Sequence, residues 1–477
     1  MIVDAWSAAE AVRAGEITSE QLVRDALARR DRVDPEVNAF TVVLREQAVA
    51  EARAADQHRA GGARYHPRPG TGGGPLHGIP ISVKDHIWLA GTPATNGSVA
   101  LRDFVPADDA VAVARLRAAG AIVVGKTNNP EFCYRGYTDN DLWGLTRNPW
   151  SLDRTPGGSS GGAGASIAYG ATSIALGTDG GGSIRIPAAF CGVVGHKPTY
   201  GLVPTKPGFR GWPTLSVFGP LARTVRDAAL ALSVMVGASA ADDLTWPVEV
   251  GDLLAGVSRP VDWSTLRVAV SEDLGWAAVE PSVRSAFRRA VDRLADDGAH
   301  IVEAAPDTPY PAALWNDIAL AEGFASEGPL LDEWGDRLAA GTREIVEAGR
   351  DTTAQQYLDA QHRRLAYARV WAEFFSEFDA LLTPSMPLPA FDVNVASPAS
   401  IDGAPVDPFF DDWCVLALPA NLTGQPSCAV PTGFDDRGLP VGMQVMGPRW
   451  SDATVLAIAA TYERLAPWHE RWPPVVA

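Results

Sequence analysis

Serine and glycine crowd into two short stretches of this chain, PGGSSGGAG at 156–164 and GTDGGGSIRIPAAFCGVVGHKP at 177–198, and Lys84 lies near the end of the apolar run IPISVKD. Hydroxyls among glycines suit acyl transfer: the hydroxyl attacks, and backbone N–H groups not shielded by side chains gather round the oxygen that becomes negative. Such a hydroxyl needs a base. His196, His300, His362 and His469 share no motif with one another or with an ordered acidic partner, so lysine becomes the candidate. Of 40 Lys and Arg residues only Lys84, Lys126, Lys197 and Lys206 are lysine. Arginine supplies the surface charge, so a surviving lysine marks a place where guanidinium does not serve. An ammonium can shed its proton on burial, and arginine in practice cannot.

Two formal motifs compete with this reading and fail on context. Gly120-AIVV-Gly125-Lys126-Thr127 matches a phosphate-binding loop, but its intervening residues are themselves a β-branched strand, and Pro130 falls where the phosphate-capping helix should start. Gly158-Ser159-Ser160-Gly161-Gly162 matches the nucleophile elbow of α/β-hydrolases and would name Ser160 the nucleophile. An elbow follows directly on a core strand, whereas TRNPWSLDRTPGG is polar, turn-forming and interrupted by Pro149 and Pro156.

The paired glycine-serine stretches, with GIPISVKD before them, resemble the signature of the amidase-signature hydrolases. The similarity runs on through NNPEF, RNPW, FGPLARTVRDAA, FDALLTP, NLTGQP and LPVGMQVMGP, from about residue 5 to 465. The resemblance implies a serine hydrolase that cleaves C–N acyl bonds of amides, anilides or carbamates, and aryl esters as well, through a Lys84, Ser159, Ser183 triad and an acyl-enzyme. Ser183 would be the nucleophile, and the N–H groups of Gly180, Gly181, Gly182 and Ser183 the oxyanion hole. Ser159, on a cis peptide bond, would relay the proton to Lys84, whose pKa must fall several units by burial for it to act as a base. Ser160, Asp179 and Arg185 would be scaffold. Cys133, Tyr134 and Tyr137 are expected to approach the acyl pocket, with Trp212 and the 310–345 helices as its lid. Two departures from the family pattern stand out. Gly180 replaces a larger residue such as Thr or Ile, and His196 a Phe or Leu.

The elements that must position these groups read as α/β. Short apolar runs such as AIVVG and SIALG alternate with helical patterns such as DDAVAVARLRAAG and TVRDAALALSVMVG. The resemblance implies one domain spanning 1–477, with a mixed, twisted central sheet covered by helices on both faces. N-terminal helices are expected over about 1–65, a catalytic α/β core over 75–235, and a C-terminal α/β part with substrate-facing helices over 260–477. Thr18 and Gln21 predict a capping box, and the Gly- and Pro-rich 59–78 stretch a loop.

The net charge of −17 argues against a nucleic-acid partner. Cys133, Cys191, Cys414 and Cys428 lack metal or disulfide spacing, so neither a metal nor a cofactor is expected. The opening residues carry scattered charge and no apolar run, and no later stretch has membrane length. A cytoplasmic monomer or homodimer acting with water on a small amide, carbamate or ester is therefore expected. The same triad would serve a glutaminase subunit of a tRNA-dependent amidotransferase, which works with partner subunits. An esterase using Ser160 and an inactive binding scaffold also stay open.

Overall fold

Runs rich in Val, Ile and Leu, bounded by Gly, Pro or polar turns, become strands. The computed structural model describes residues 4–60, 74–409 and 412–476. In chain order its first strands are β1 (Phe40–Val43), β2 (Pro80–Lys84), β3 (Ile122–Thr127), β4 (Ile174–Asp179), β5 (Val194–Lys197) and β6 (Val217–Ala222). Next come β7 (Val268–Val270), β8 (Ile301–Glu303), β9 (Ala380–Pro384), β10 (Ser400–Ile401), β11 (Ala404–Pro405), β12 (Ser427–Phe434) and β13 (Pro440–Met446). β10 and β11 pair with each other, and the rest form one 11-stranded sheet in the order β1-β3-β2-β4-β6-β5-β12-β13-β9-β7-β8. β2 lies parallel to β3 and β4, and β7 parallel to β8 and β9. The remaining pairings are antiparallel.

Side chains alternate across this sheet, and each face buries its own layer. Ile81, Val83, Ile174 and Leu176 pack with the helices Val111–Ala118, Val225–Met235, Pro281–Asp296 and Asp452–Leu465. Ala175 and Leu221 face the opposite layer, under the helices Gly161–Ala168 and Arg185–Cys191. The result is the expected single-domain mixed sheet with helices on both sides. The helix Gly161–Ala168, with three glycines, is a poor helix former by propensity, and tertiary packing explains it. A Cβ on Gly162 would lie 2.4 Å from the Ala39 carbonyl oxygen and 2.5 Å from the Asn128 nitrogen. Only a bare backbone lets this helix sit so close to the sheet.

Several local expectations change. The N-terminal stretch holds three helices, Ala5–Ala14, Ser19–Val37 and Arg45–Ala60, but β1 interrupts them and pairs with β3. Thr18 accepts a hydrogen bond from the Gln21 N–H, yet the Gln21 side chain turns to Asp25, so only half of the capping box forms. A complete box starts the helix Ala354–Phe374, from Thr353 and Gln356. Of the loop expected at 59–78, residues 61–73 lie outside the described residues. Gly125, Lys126 and Thr127 belong to β3, with no phosphate-binding loop between the glycines. No helix among the described residues is long and apolar enough to cross a membrane.

Candidate active site

β2 delivers Lys84 to the carboxyl edge of the parallel strands, where it is fully buried. Its Nζ lies 2.6 Å from Ser159 Oγ and 2.7 Å from Thr178 Oγ1, the latter on β4. Both of these partners are hydroxyls. An ammonium buried against neutral groups is costly, and burial pushes the Lys84 pKa down against the smaller opposing pulls of Cys133 and Asp179. Ser159 enters on the cis Gly158–Ser159 peptide, immediately ahead of the Gly161–Ala168 helix. A side chain on Gly158 would collide with the Tyr137 carbonyl oxygen at 2.5 Å.

Beyond β4 the chain turns through Gly180-Gly181-Gly182-Ser183 into the helix Arg185–Cys191. Asp179 organises this turn: its carboxylate accepts from the Gly182 N–H at 2.8 Å and the Ile184 N–H at 3.2 Å. Arg185 grips the same carboxylate through Nε and Nη2, both at 3.0 Å, and reaches on to the Ala417 carbonyl and the Asn421 side chain. Burial alone would raise the Asp179 pKa, but the Arg185 guanidinium holds it well below the usual carboxylate range. Asn421 closes the network by donating to the Asp179 carboxylate and carbonyl, each at 3.0 Å. Of the four N–H groups expected to serve an oxyanion hole, that of Gly182 is instead committed to Asp179.

Ser160 occupies a different environment from its neighbour. Its hydroxyl donates to the Thr178 carbonyl and accepts from the Thr178 N–H, and its own N–H donates to the Ser183 carbonyl at 3.2 Å. Fully buried and bonded to β4, it clasps the two serine loops together. That placement gives the elbow reading no exposed nucleophile. Ser183 is 8% exposed and lines cavities on either side of itself.

One cavity is walled by Tyr134, Ile186, Trp212, Trp315, Leu320 and Ile345. The other also admits Ser159, Thr178, His86 and Phe209. Cys133, Tyr134 and Trp212 line both cavities together with Ser183, whereas Tyr137 is absent from both linings and contributes backbone beneath Gly158. Tyr134 stacks on Trp212 with ring centroids 5.1 Å apart and donates its hydroxyl to the buried Glu327, whose pKa burial raises to about 7. The Cys133 thiol also reaches Lys84 and Ser159. His86 accompanies Lys84, with Nδ1 donating to Asn96 at 3.0 Å, and burial followed by the Lys84 charge lowers its pKa to about 3. Thr178, His86 and Trp315 join the site without being singled out by any sequence motif. The KDH adjacency was the one signal for His86, and Trp315 sits inside the expected lid helices. His196, the second departure, is buried with Nε2 3.0 Å from Asp452 Oδ1, remote in sequence and unrelated to Ser160. Among the described residues no group of three or more His, Cys, Asp or Glu could hold a metal ion.

A mixed sheet of this topology, carrying a serine-bearing glycine turn beyond β4, defines the amidase-signature class of C–N hydrolases. The chain belongs to the Amidase family, whose model matches residues 21–456. It is 38% identical to a glutamyl-tRNA(Gln) amidotransferase subunit of Roseiflexus sp. (strain RS-1), over 98% of this chain and 97% of that protein. It is 35% identical to an acylamidase of Rhodococcus erythropolis, over 99% and 97%. The crystal structure of a bacterial aryl acylamidase of the amidase-signature enzymes superposes with a TM-score of 0.90 at 30% identity, covering 99% of this chain and 98% of that one.

Proposed function

We propose that this protein hydrolyses linear amides, anilides or carbamates, and aryl esters by the same route, with Ser183 as nucleophile, Ser159 as proton relay and Lys84 as base. The observation that carries the reading is the buried Lys84 amine 2.6 Å from Ser159, on the strand edge next to the Ser183 turn. Ser183 Oγ attacks the acyl carbon while its proton passes to Ser159, and the Ser159 proton passes to the neutral Lys84 amine. The tetrahedral oxygen is met by the N–H groups of Gly180, Gly181 and Ser183, each such donor contributing about 2.7–4 kcal/mol to a transition state. The C–N bond breaks as the proton returns through Ser159 to the leaving nitrogen. Water then repeats the sequence on the acyl-enzyme and releases the acid. Asp179 and Arg185 hold the turn in shape, and Ser160 holds the two loops together.

The aromatic and aliphatic walls beside Ser183 support an apolar or aryl acyl group. The resemblance to amidotransferase subunits supports a second reading, a glutaminase working with partner chains. Most of that wall is apolar and weighs against it: among the described residues of the lining Arg135 could meet glutamine's carboxylate, but no Asp or Glu is there for its ammonium. The isolated chain, offered aryl acetanilides, phenyl carbamates, nitrophenyl esters and glutamine, is expected to turn over the first three classes in a Ser183-dependent manner. Ammonia release from glutamine alone, with the aryl substrates untouched, would reverse the choice.

A further inference from the structure

A turn made of consecutive glycines has little stiffness of its own. Glycine visits both signs of φ freely, so the Gly180–Gly181 peptide, flanked by glycine on both sides, has no steric reason to keep one orientation. Its carbonyl and N–H point in opposite directions across a planar trans bond. Whatever holds the carbonyl therefore aims the N–H.

That hold comes from a side chain on another element. Trp315, on the helix Ala312–Glu327, donates its indole N–H to the Gly180 carbonyl at 2.9 Å in a buried setting. The same indole lies against Gly181, where an added Cβ would come within 2.9 Å of Trp315 Cζ2. Trp212 braces it edge-on at a centroid distance of 5.0 Å, and Trp212 itself packs where a Gly180 Cβ would stand, 2.7 Å from its ring. The glycine at 180 thus makes room for the indole pair that immobilises the turn. Trp315 and Gly181 also line the cavity beside Ser183.

We propose that Trp315 is a positioning residue for the oxyanion turn: by holding the Gly180 carbonyl it keeps the Gly181 N–H aimed at the oxygen that becomes negative. The inference rests on the hydrolase reading above. It makes Trp315 act on the transition state through Gly181, in addition to lining the cavity beside Ser183.

Trp315→Phe keeps an aromatic ring and removes the N–H. Replacing Trp315 by benzothienylalanine exchanges that N–H for sulfur while keeping the bicyclic shape, and covers the case in which Trp315→Phe folds poorly. With an aryl acetanilide, both are expected to lower kcat by about 10- to 100-fold, a fraction of the loss seen when an oxyanion donor is removed outright, with KM within about threefold. Affinity for a trifluoromethyl ketone, whose adduct carries an oxyanion, should fall in parallel, while affinity for the arylamine product stays put. Unchanged kcat in the benzothienylalanine protein, or a loss confined to KM, overturns the proposal. A wild-type enzyme that a fluorophosphonate fails to label at Ser183 overturns the hydrolase reading and this inference with it. Labelling at Ser183 with unchanged kcat in the variants overturns this inference alone.

Discussion

A lysine that must accept a proton from Ser159 has to reach that step uncharged, and the burial of Lys84 between two hydroxyls is what depresses its pKa. Lys84→Ala is expected to lower kcat by about 10²–10⁴-fold, the usual range for a positioned general base. Lys84→Arg should not rescue it, because guanidinium stays protonated. Wild-type kcat/KM should fall as pH drops through the lowered Lys84 pKa, and that acid limb should be missing from the residual activity of Lys84→Ala. Lys197 gives a test on stability. It is fully buried, with a pKa lowered to about 7 from an ordinary 10.5, so between those values the unfolded chain binds more protons and stability rises with pH. Lys197→Met should flatten that rise and increase the denaturation midpoint at pH 7. Lysine scarcity in the sequence was a sound signal of burial, since Lys84, Lys126 and Lys197 are all fully buried. It did not single out Lys84. Lys126 spends its ammonium on the carbonyls of Asp85 and Ile87, and Lys197 on that of Pro198. Only the motif around Lys84 and its resemblance distinguished it.

Elements hold the site through contacts closer than side chains allow. Gly162→Ala places a methyl against the backbone of Ala39 and Asn128 and is expected to cost about 1–3 kcal/mol of unfolding free energy. Gly335→Ala, with open space around its Cβ, should stay within about 0.5 kcal/mol of wild type; urea denaturation of both variants makes the comparison. Arg185→Met leaves the Asp179 charge buried without its cation, which should destabilise by about 3–5 kcal/mol and lower activity by loosening the Ser183 turn. The strands β2, β3 and β4 were legible as β-branched runs. β1 was not, because FTVV sits inside residues with helical spacing and becomes a strand only by pairing with β3. The Gly161–Ala168 helix was equally resistant to propensity, its glycines being selected by what they touch.

Over the whole molecule, the family pattern carried most of what was readable: one mixed sheet, helices on both faces, and the loops that carry the two serine motifs. What it did not carry were contacts made across the chain. Arg185 meets Asn421 from 236 positions away, and Trp315 reaches Gly180 from 135 positions away; nothing in local spacing announces either. These crossings join the C-terminal part to the turn that carries Ser183, and Trp315 also lines the cavity beside it. The isolated chain should therefore hydrolyse an aryl acetanilide without any added partner, and glutamine at saturating concentration should not compete with it. Competition by glutamine, or dependence on a second protein, would move the chain toward the amidotransferase reading.

The most direct test of the central claim is peptide mapping of the intact protein after reaction with an aryl fluorophosphonate. A single phosphonyl adduct on Ser183 is predicted, formed far more slowly in Lys84→Ala. An adduct on Ser159 or Ser160 with Ser183 unmodified would contradict that claim.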